Sequence, residues 1–178
     1  MRERASRDRV VAFMRRLGRE PGARGRVYFT GGASAVLDGW RDTTVDIDVE
    51  LDGEAERLLR SLAAIKDELH VNVELAAPHH FVPELPGWRD RSRYIGSEGA
   101  LHFYHYDPYA QAIAKIERGH VQDMEDVTTM FDRGLIQSAE LLRLFATIEP
   151  ELYRYPALDP ATLRRKIETA VRTRAPQP

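Results

Sequence analysis

The chain changes its hydrophobic rhythm near the middle. In the first half, short runs alternate apolar and polar residues with period two between helical stretches; from Pro108 on, apolar residues recur every three or four positions. Residues 5–19 predict a helix, with Val10, Val11, Phe13, Met14 and Leu17 on one stripe. Glu20 to Gly25 is a Pro/Gly break. Val27–Thr30 predicts a short strand, and Ala33–Leu37 a helix directly after two glycines. Over 44–51, Val45, Ile47, Val49 and Leu51 point one way and Asp46, Asp48 and Glu50 the other, the pattern of a strand with one buried face. Glu54–Glu68 predicts a helix with Leu58, Leu59, Leu62 and Ile65 inward. Val71–Leu75 alternates again, with Asn72 and Glu74 on its polar side. Residues 77–93, with three prolines and Gly87, predict a loop whose length points to function or mobility. Tyr94–Ile95 and Leu101–His105 predict short strands around a glycine turn, followed by helices at about 108–119, 122–133, 138–148 and 160–173. The first half is therefore mixed strand and helix, the second all helix.

Composition narrows the class. A chain of 178 residues, 43% hydrophobic and 30% charged, suits one domain or one domain with a helical extension. The net charge of -2 announces neither nucleic acid nor membrane, although nine arginines lie within residues 1–26 and the stretch 164–174 is basic. Without cysteine there is no disulfide scaffold, thiolate zinc site or cysteine nucleophile. No apolar run approaches the roughly 20 residues of a membrane span, and the N-terminus lacks the apolar core of a signal peptide, so the expectation is a cytoplasmic protein.

The candidate chemistry sits in VYFTGGASAVLDGWRDTTVDIDVE, residues 27–50. Period two puts Asp46, Asp48 and Glu50 on one face, and hard cations such as Mg²⁺ prefer carboxylate oxygens. If the strand carrying Glu74 is adjacent, three acids converge and can hold two metals for phosphoryl or nucleotidyl transfer. Alone, the two aspartates also fit an ordinary solvated strand face. Gly31 and Gly32 let backbone approach a ligand, the following helix offers N–H groups to a phosphate, and Ser34 adds a hydroxyl. Strand, glycine pair, helix and acid-bearing strand together would deliver phosphates to metals.

These residues resemble the nucleotidyltransferase superfamily typified by DNA polymerase beta: Thr30-Gly31-Gly32, thirteen residues (33–45), then Asp46-Ile47-Asp48. The block GGASAVLDGWRDTTVDID is similar to a bacterial minimal branch that includes the AbiEii-type toxins, and AKIERGHVQDMEDV (114–127) resembles that branch's second block. The resemblance covers about residues 26–135. It implies an α+β fold with a mixed sheet flanked by helices, a core over 1–106 and a helical part over 107–178 packed on it. It implies that Asp46 and Asp48 bind two Mg²⁺ ions (with Mn²⁺ able to substitute), and that Glu74 is the third acid and orients or deprotonates the acceptor hydroxyl; Asp67 and Glu50 are rivals for that place. It implies that Gly31, Gly32 and Ser34 hold the β- and γ-phosphates of an NTP such as ATP, that Lys115 offsets their charge, and that Asp123 positions that lysine or the nucleotide. Arg41 reaches a phosphate or neutralises the acids, and Thr44 orients the loop. The acceptor would be a tRNA or other RNA end, a protein side chain or a small hydroxylated molecule, and a toxin would have an antitoxin partner. The rival reading is a catalytically silent nucleotide-binding module of the same fold.

Other residues carry less. Lys115 and Arg118 share a helix face, as do Asp123 and Asp126, and would also suit plain ion pairing. Six scattered histidines argue against zinc, with His102 and His105 facing opposite sides of a strand. The aromatic run FYHYDPY (103–109) suits either base stacking or packing.

Overall fold

Alternating residues of the first half build a sheet that sets an apolar face against a polar one. The computed structural model describes residues 3–173. The chain divides into two compact units: residues up to Ala77 with Ser92–Tyr106, and Pro78–Arg91 with the chain from Asp107 on. Segment 78–91, grouped with 1–106 in the sequence reading, belongs to the second unit.

In the first unit Ala5–Ser6 form β1, so the first helix, α1 (Arg7–Gly18), starts later than expected. Next come β2 (Arg24–Phe29) and α2 (Gly31–Leu37), which begins on the first glycine rather than after the pair. The strand expected over 44–51 is broken at Val45, which is 55% exposed instead of inward. Before the break, β3 (Thr43–Thr44) pairs antiparallel with β1; after it, β4 (Asp46–Asp52) joins the main sheet. The helix expected over 54–68 is a 3₁₀ turn, Gly53–Leu58, leading into α3 (Leu59–Leu69). Three residues per turn shift the inward stripe, so Leu58, Leu62 and Ile65 are buried while Leu59 faces out. β5 (Asn72–Leu75), β6 (Arg93–Glu98) and β7 (Ala100–His105) complete the unit.

Among the described residues the main sheet has five strands in the order β5-β4-β2-β7-β6. β4 is antiparallel to β2 and parallel to β5; β7 is parallel to β2 and antiparallel to β6. The architecture is α+β with a mixed sheet. One face, with Val27, Phe29, Ile47, Val49 and Phe103, packs against Phe13 and Leu17 of α1, Ala33 and Val36 of α2, and Leu62 and Ile65 of α3. The other face carries the acids. Beside the apolar core a buried polar chain fastens α2: Ser34 Oγ lies 2.8 Å from His105 Nδ1, His105 Nε2 lies 3.3 Å from Asp38 Oδ1, and Asp38 pairs with Arg93.

The second unit contains α4 (Trp88–Arg91), α5 (Pro108–Arg118), α6 (Val121–Asp132), α7 (Ser138–Ile148) and α8 (Pro160–Arg172). The expected loop 77–93 is instead anchored by buried Val82 and Leu85, lying between its prolines, and by Trp88 just after the last of them. Asp107 caps α5 by accepting the Tyr109 N–H at 2.9 Å, and Arg91 donates twice to its other oxygen, at 2.7 and 3.0 Å. Lys115 on α5 is 3% exposed, with Nζ 2.6 Å from Asp126 Oδ2 and 3.4 Å from Asp123 Oδ1 on α6. Arg118 donates to Asp123 at 2.7 Å. Lys115 and the two carboxylates thus pair inside the α5–α6 junction, and exposed Arg118 joins them from its rim.

Burial pushes His105 down from 6.5 to about 4, with Asp38 opposing and Arg93 assisting. The unfolded chain therefore binds more protons between those values; the contribution of neutral His105 is complete above about pH 6.5 and is lost as pH falls through about 4, a loss of about 3 kcal/mol. Urea unfolding at about pH 7 and about pH 4 should show His105→Asn flatter than the parent by that amount; equal slopes would contradict it. Asp126→Ala should cost about 1.5–3 kcal/mol, because the buried ammonium loses its nearer carboxylate and keeps only Asp123 at 3.4 Å, whereas Lys115→Met/Asp126→Leu should recover most of the loss. Thermal melts of both variants check this.

Candidate active site

The acids sit where the alternation of β4 and its pairing with β5 put them. In this parallel pair Asp46 is level with Asn72 and Asp48 with Glu74. Neighbouring strands lie roughly 4.8 Å apart, so Asp48 and Glu74 stand side by side on the polar face. Asp46, Asp48 and Glu50 are half-buried and Glu74 is exposed. The Asn72 amide donates to Asp46 Oδ1 and, at 3.1 Å, to Glu74 Oε1, so one donor orients two acids. Asn72 was visible in the sequence only as a polar-side residue; its role comes from the register.

The glycines meet this face at the end of β2. Gly31 has φ +54°, a left-handed conformation, and a Cβ there would lie 2.7 Å from Asp48 Oδ2. A Cβ on Gly32 would collide with Thr44 Oγ1, stand 2.9 Å from Thr44 Cβ and come within 3.2 Å of the Arg41 guanidinium. Gly32 is thus required by close approach and Gly31 is favoured by its left-handed backbone, and Arg41 and Thr44 lie against the turn. Thr44 is buried, and its hydroxyl donates to the Asp46 carbonyl at 3.0 Å. Thr30 ties the corner together: its N–H donates to the Asp48 carbonyl at 3.0 Å and its hydroxyl to the Ala76 carbonyl at 2.9 Å. The Thr30 hydroxyl thus has a structural task.

Ser34 is buried and its hydroxyl is engaged with His105, an interaction for which the sequence offered no signal. Glu50 lies one step along β4, level with Tyr28 of β2. Asp67 is exposed on α3, the helix packed on the opposite, apolar face of the sheet, away from the acid row. Lys115 and Asp123 belong to the second unit, and the structure adds Asp126 as the nearer partner of the lysine.

Carboxylate oxygens are the donors that hard divalent cations prefer. Carboxylates at Asp46, Asp48 and Glu74 share one face, two of them are level across a parallel pair, and an amide orients two of them from the side. Among the described residues no helix is long and apolar enough to cross a membrane.

A family model described as "Nucleotidyltransferase of unknown function (DUF6036)" matches residues 9–160, well over half of the chain. No curated protein and no solved structure matches. With the glycine turn and the acid row both inside the matched span, the chain belongs to this nucleotidyltransferase family.

Proposed function

We propose that the protein transfers a nucleoside monophosphate from an NTP to an acceptor hydroxyl and releases pyrophosphate. The observation that carries this reading is the meeting of Gly31 with Asp48 while Asp48 stands level with Glu74. Backbone cleared of side chains at Gly31–Gly32 gives the triphosphate room beside the carboxylates. Arg41, against Gly32, supplies positive charge to the phosphates, and Thr44 holds the turn on β4 through the Asp46 carbonyl.

Asp46, Asp48 and Glu74 would hold Mg²⁺, which when bound supplies charge stabilisation at the phosphoryl oxygens. The acceptor oxygen attacks the α-phosphorus, the bond from that phosphorus to the bridging oxygen of the β-phosphate breaks, and pyrophosphate leaves with the electron pair. Glu74, the exposed acid, receives the acceptor proton, and Asn72 fixes its carboxylate. The likeness of the same block to AbiEii-type toxins extends the proposal to a toxin restrained by an antitoxin.

Incubation with α-labelled NTPs, Mg²⁺ and total RNA or protein from a bacterial lysate tests this. Label should enter one fraction and disappear with Asp46→Ala/Asp48→Ala; transfer undiminished in that double variant would sink the mechanism. Asn72→Ala should leave the fold intact and lower transfer by about 10- to 100-fold, the usual effect of removing an orienting partner of metal ligands. Steady-state kinetics at several Mg²⁺ concentrations would show whether added metal recovers part of the loss.

A further inference from the structure

The glycine pair lies between Phe29, the last residue of β2, and Ser34, one turn into α2. His105 touches both sides of it. In the parallel β2–β7 pair His105 stands level with Phe29, and the next residue, Tyr106, donates its N–H to the Phe29 carbonyl at 2.9 Å. The His105 ring reaches the other side, with Nδ1 2.8 Å from Ser34 Oγ and Nε2 3.3 Å from Asp38 Oδ1. Ser34 and Asp38 are four apart and so share a face of α2. One residue thus has its backbone on the strand that enters the turn and its ring on the helix that leaves it.

The direction of these hydrogen bonds follows from their partners. Asp38 is paired with Arg93, which stands level with His105 across the β6–β7 pair, and an ionised carboxylate only accepts. His105 is buried, and burial keeps its ring neutral down to about pH 4. A neutral imidazole has one N–H and one acceptor nitrogen. The N–H therefore belongs on Nε2, facing Asp38, and Nδ1 accepts the Ser34 hydroxyl. Ser34, itself buried, has its only side-chain proton on His105. Its oxygen retains lone pairs alone, and these donate nothing to a phosphate oxygen.

Resting on the transfer reading above, we infer that His105 is a positioning residue for the nucleotide's phosphates: it braces the Gly31–Gly32 turn from both sides, and Ser34 serves this brace instead of a phosphate. The turn needs such a brace. Gly31 is left-handed at φ +54°, and glycine has the widest backbone freedom of any residue. Two glycines in sequence would let α2 swing about the end of β2, and α2 has only seven residues with which to resist. Joined through His105, strand and helix move as one piece, and Gly32 stays against Arg41 and Thr44. Phosphate contacts then fall to Arg41 and to the backbone of the turn, whose direction His105 fixes through α2.

The test is calorimetric titration of the full chain with ATP and Mg²⁺, with thermal melts to establish that each variant is folded at the temperature used. His105→Leu keeps a bulky side chain without its polar atoms and should weaken ATP binding by about 10- to 100-fold. His105→Gln, with one acceptor and one donor, should recover most of that loss. In a double-mutant cycle, Ser34→Ala should cost little more on top of His105→Leu, because the two side chains act as one unit. Additive losses would mean that Ser34 meets a phosphate on its own, and would overturn the inference. ATP binding in His105→Leu equal to the parent's would overturn it as well, while leaving the transfer reading in place. Should His105→Leu not fold, Asp38→Ala takes its place in the cycle: it removes the Nε2 partner from a half-buried position, and the same losses are expected. A parent that binds no ATP with Mg²⁺ would remove the transfer reading, and this inference with it.

Discussion

Everything on the polar face depends on how closely side chains approach the backbone at the end of β2. Gly31, in a left-handed conformation, stands against the Asp48 carboxylate, and Gly32 stands against Arg41 and so close to Thr44 that a methyl group there would overlap it. This contact seats α2 on the sheet. The helix is then held at its far end by Asp38, through His105 and Arg93. An apolar interior alone would let so short a helix slide; polar contacts at both ends make its position discrete. Hydrogen bonds to buried partners are directional, and a missing partner is costly, so such contacts select one arrangement more sharply than packing does.

The second constraint is pairing. A parallel β4–β5 pair makes residues from distant parts of the sequence stand level, and a shift of one residue would exchange Glu74 for a neighbour on the other face. The register is secured from several directions. Val73 is buried in the apolar layer, Asn72 is bonded to acids on both strands, and Thr30 ties β2 to Ala76 just beyond β5. Apolar packing and polar bonding thus specify the same alignment, which is the consistency expected of a sequence with one native state.

Much of this was legible in the residues themselves. Period two located β4 and its acid face, and the glycine pair located the turn, because both are local signals. The break at Val45 was not legible: Thr43–Thr44 pair with Ala5–Ser6, and nothing in residues 43–52 names a partner near the start of the chain. The segment 77–93 looked like a loop because prolines and a glycine mask the spacing of Val82, Leu85 and Trp88, whose burial is a tertiary fact. The site divides in the same way. Asp46, Asp48 and Glu74 could be read from alternation, whereas the roles of Asn72, Thr30 and His105 arise from strands meeting. Lys115 could be placed on a helix face with Arg118, but that Asp126 is its nearest partner depends on how α5 packs against α6.

The small ribbon formed by β1 and β3 gives the start of the chain a mechanical role. Ala5 lies opposite Thr44, and Thr44 is the residue whose hydroxyl and Cβ crowd Gly32. Tension or displacement applied at Ala5 is therefore transmitted through one strand pair to the turn beside the acids. The pairing of Ala5 with Thr44 thus leaves a single strand pair between the ribbon's outer edge and the turn beside the acids.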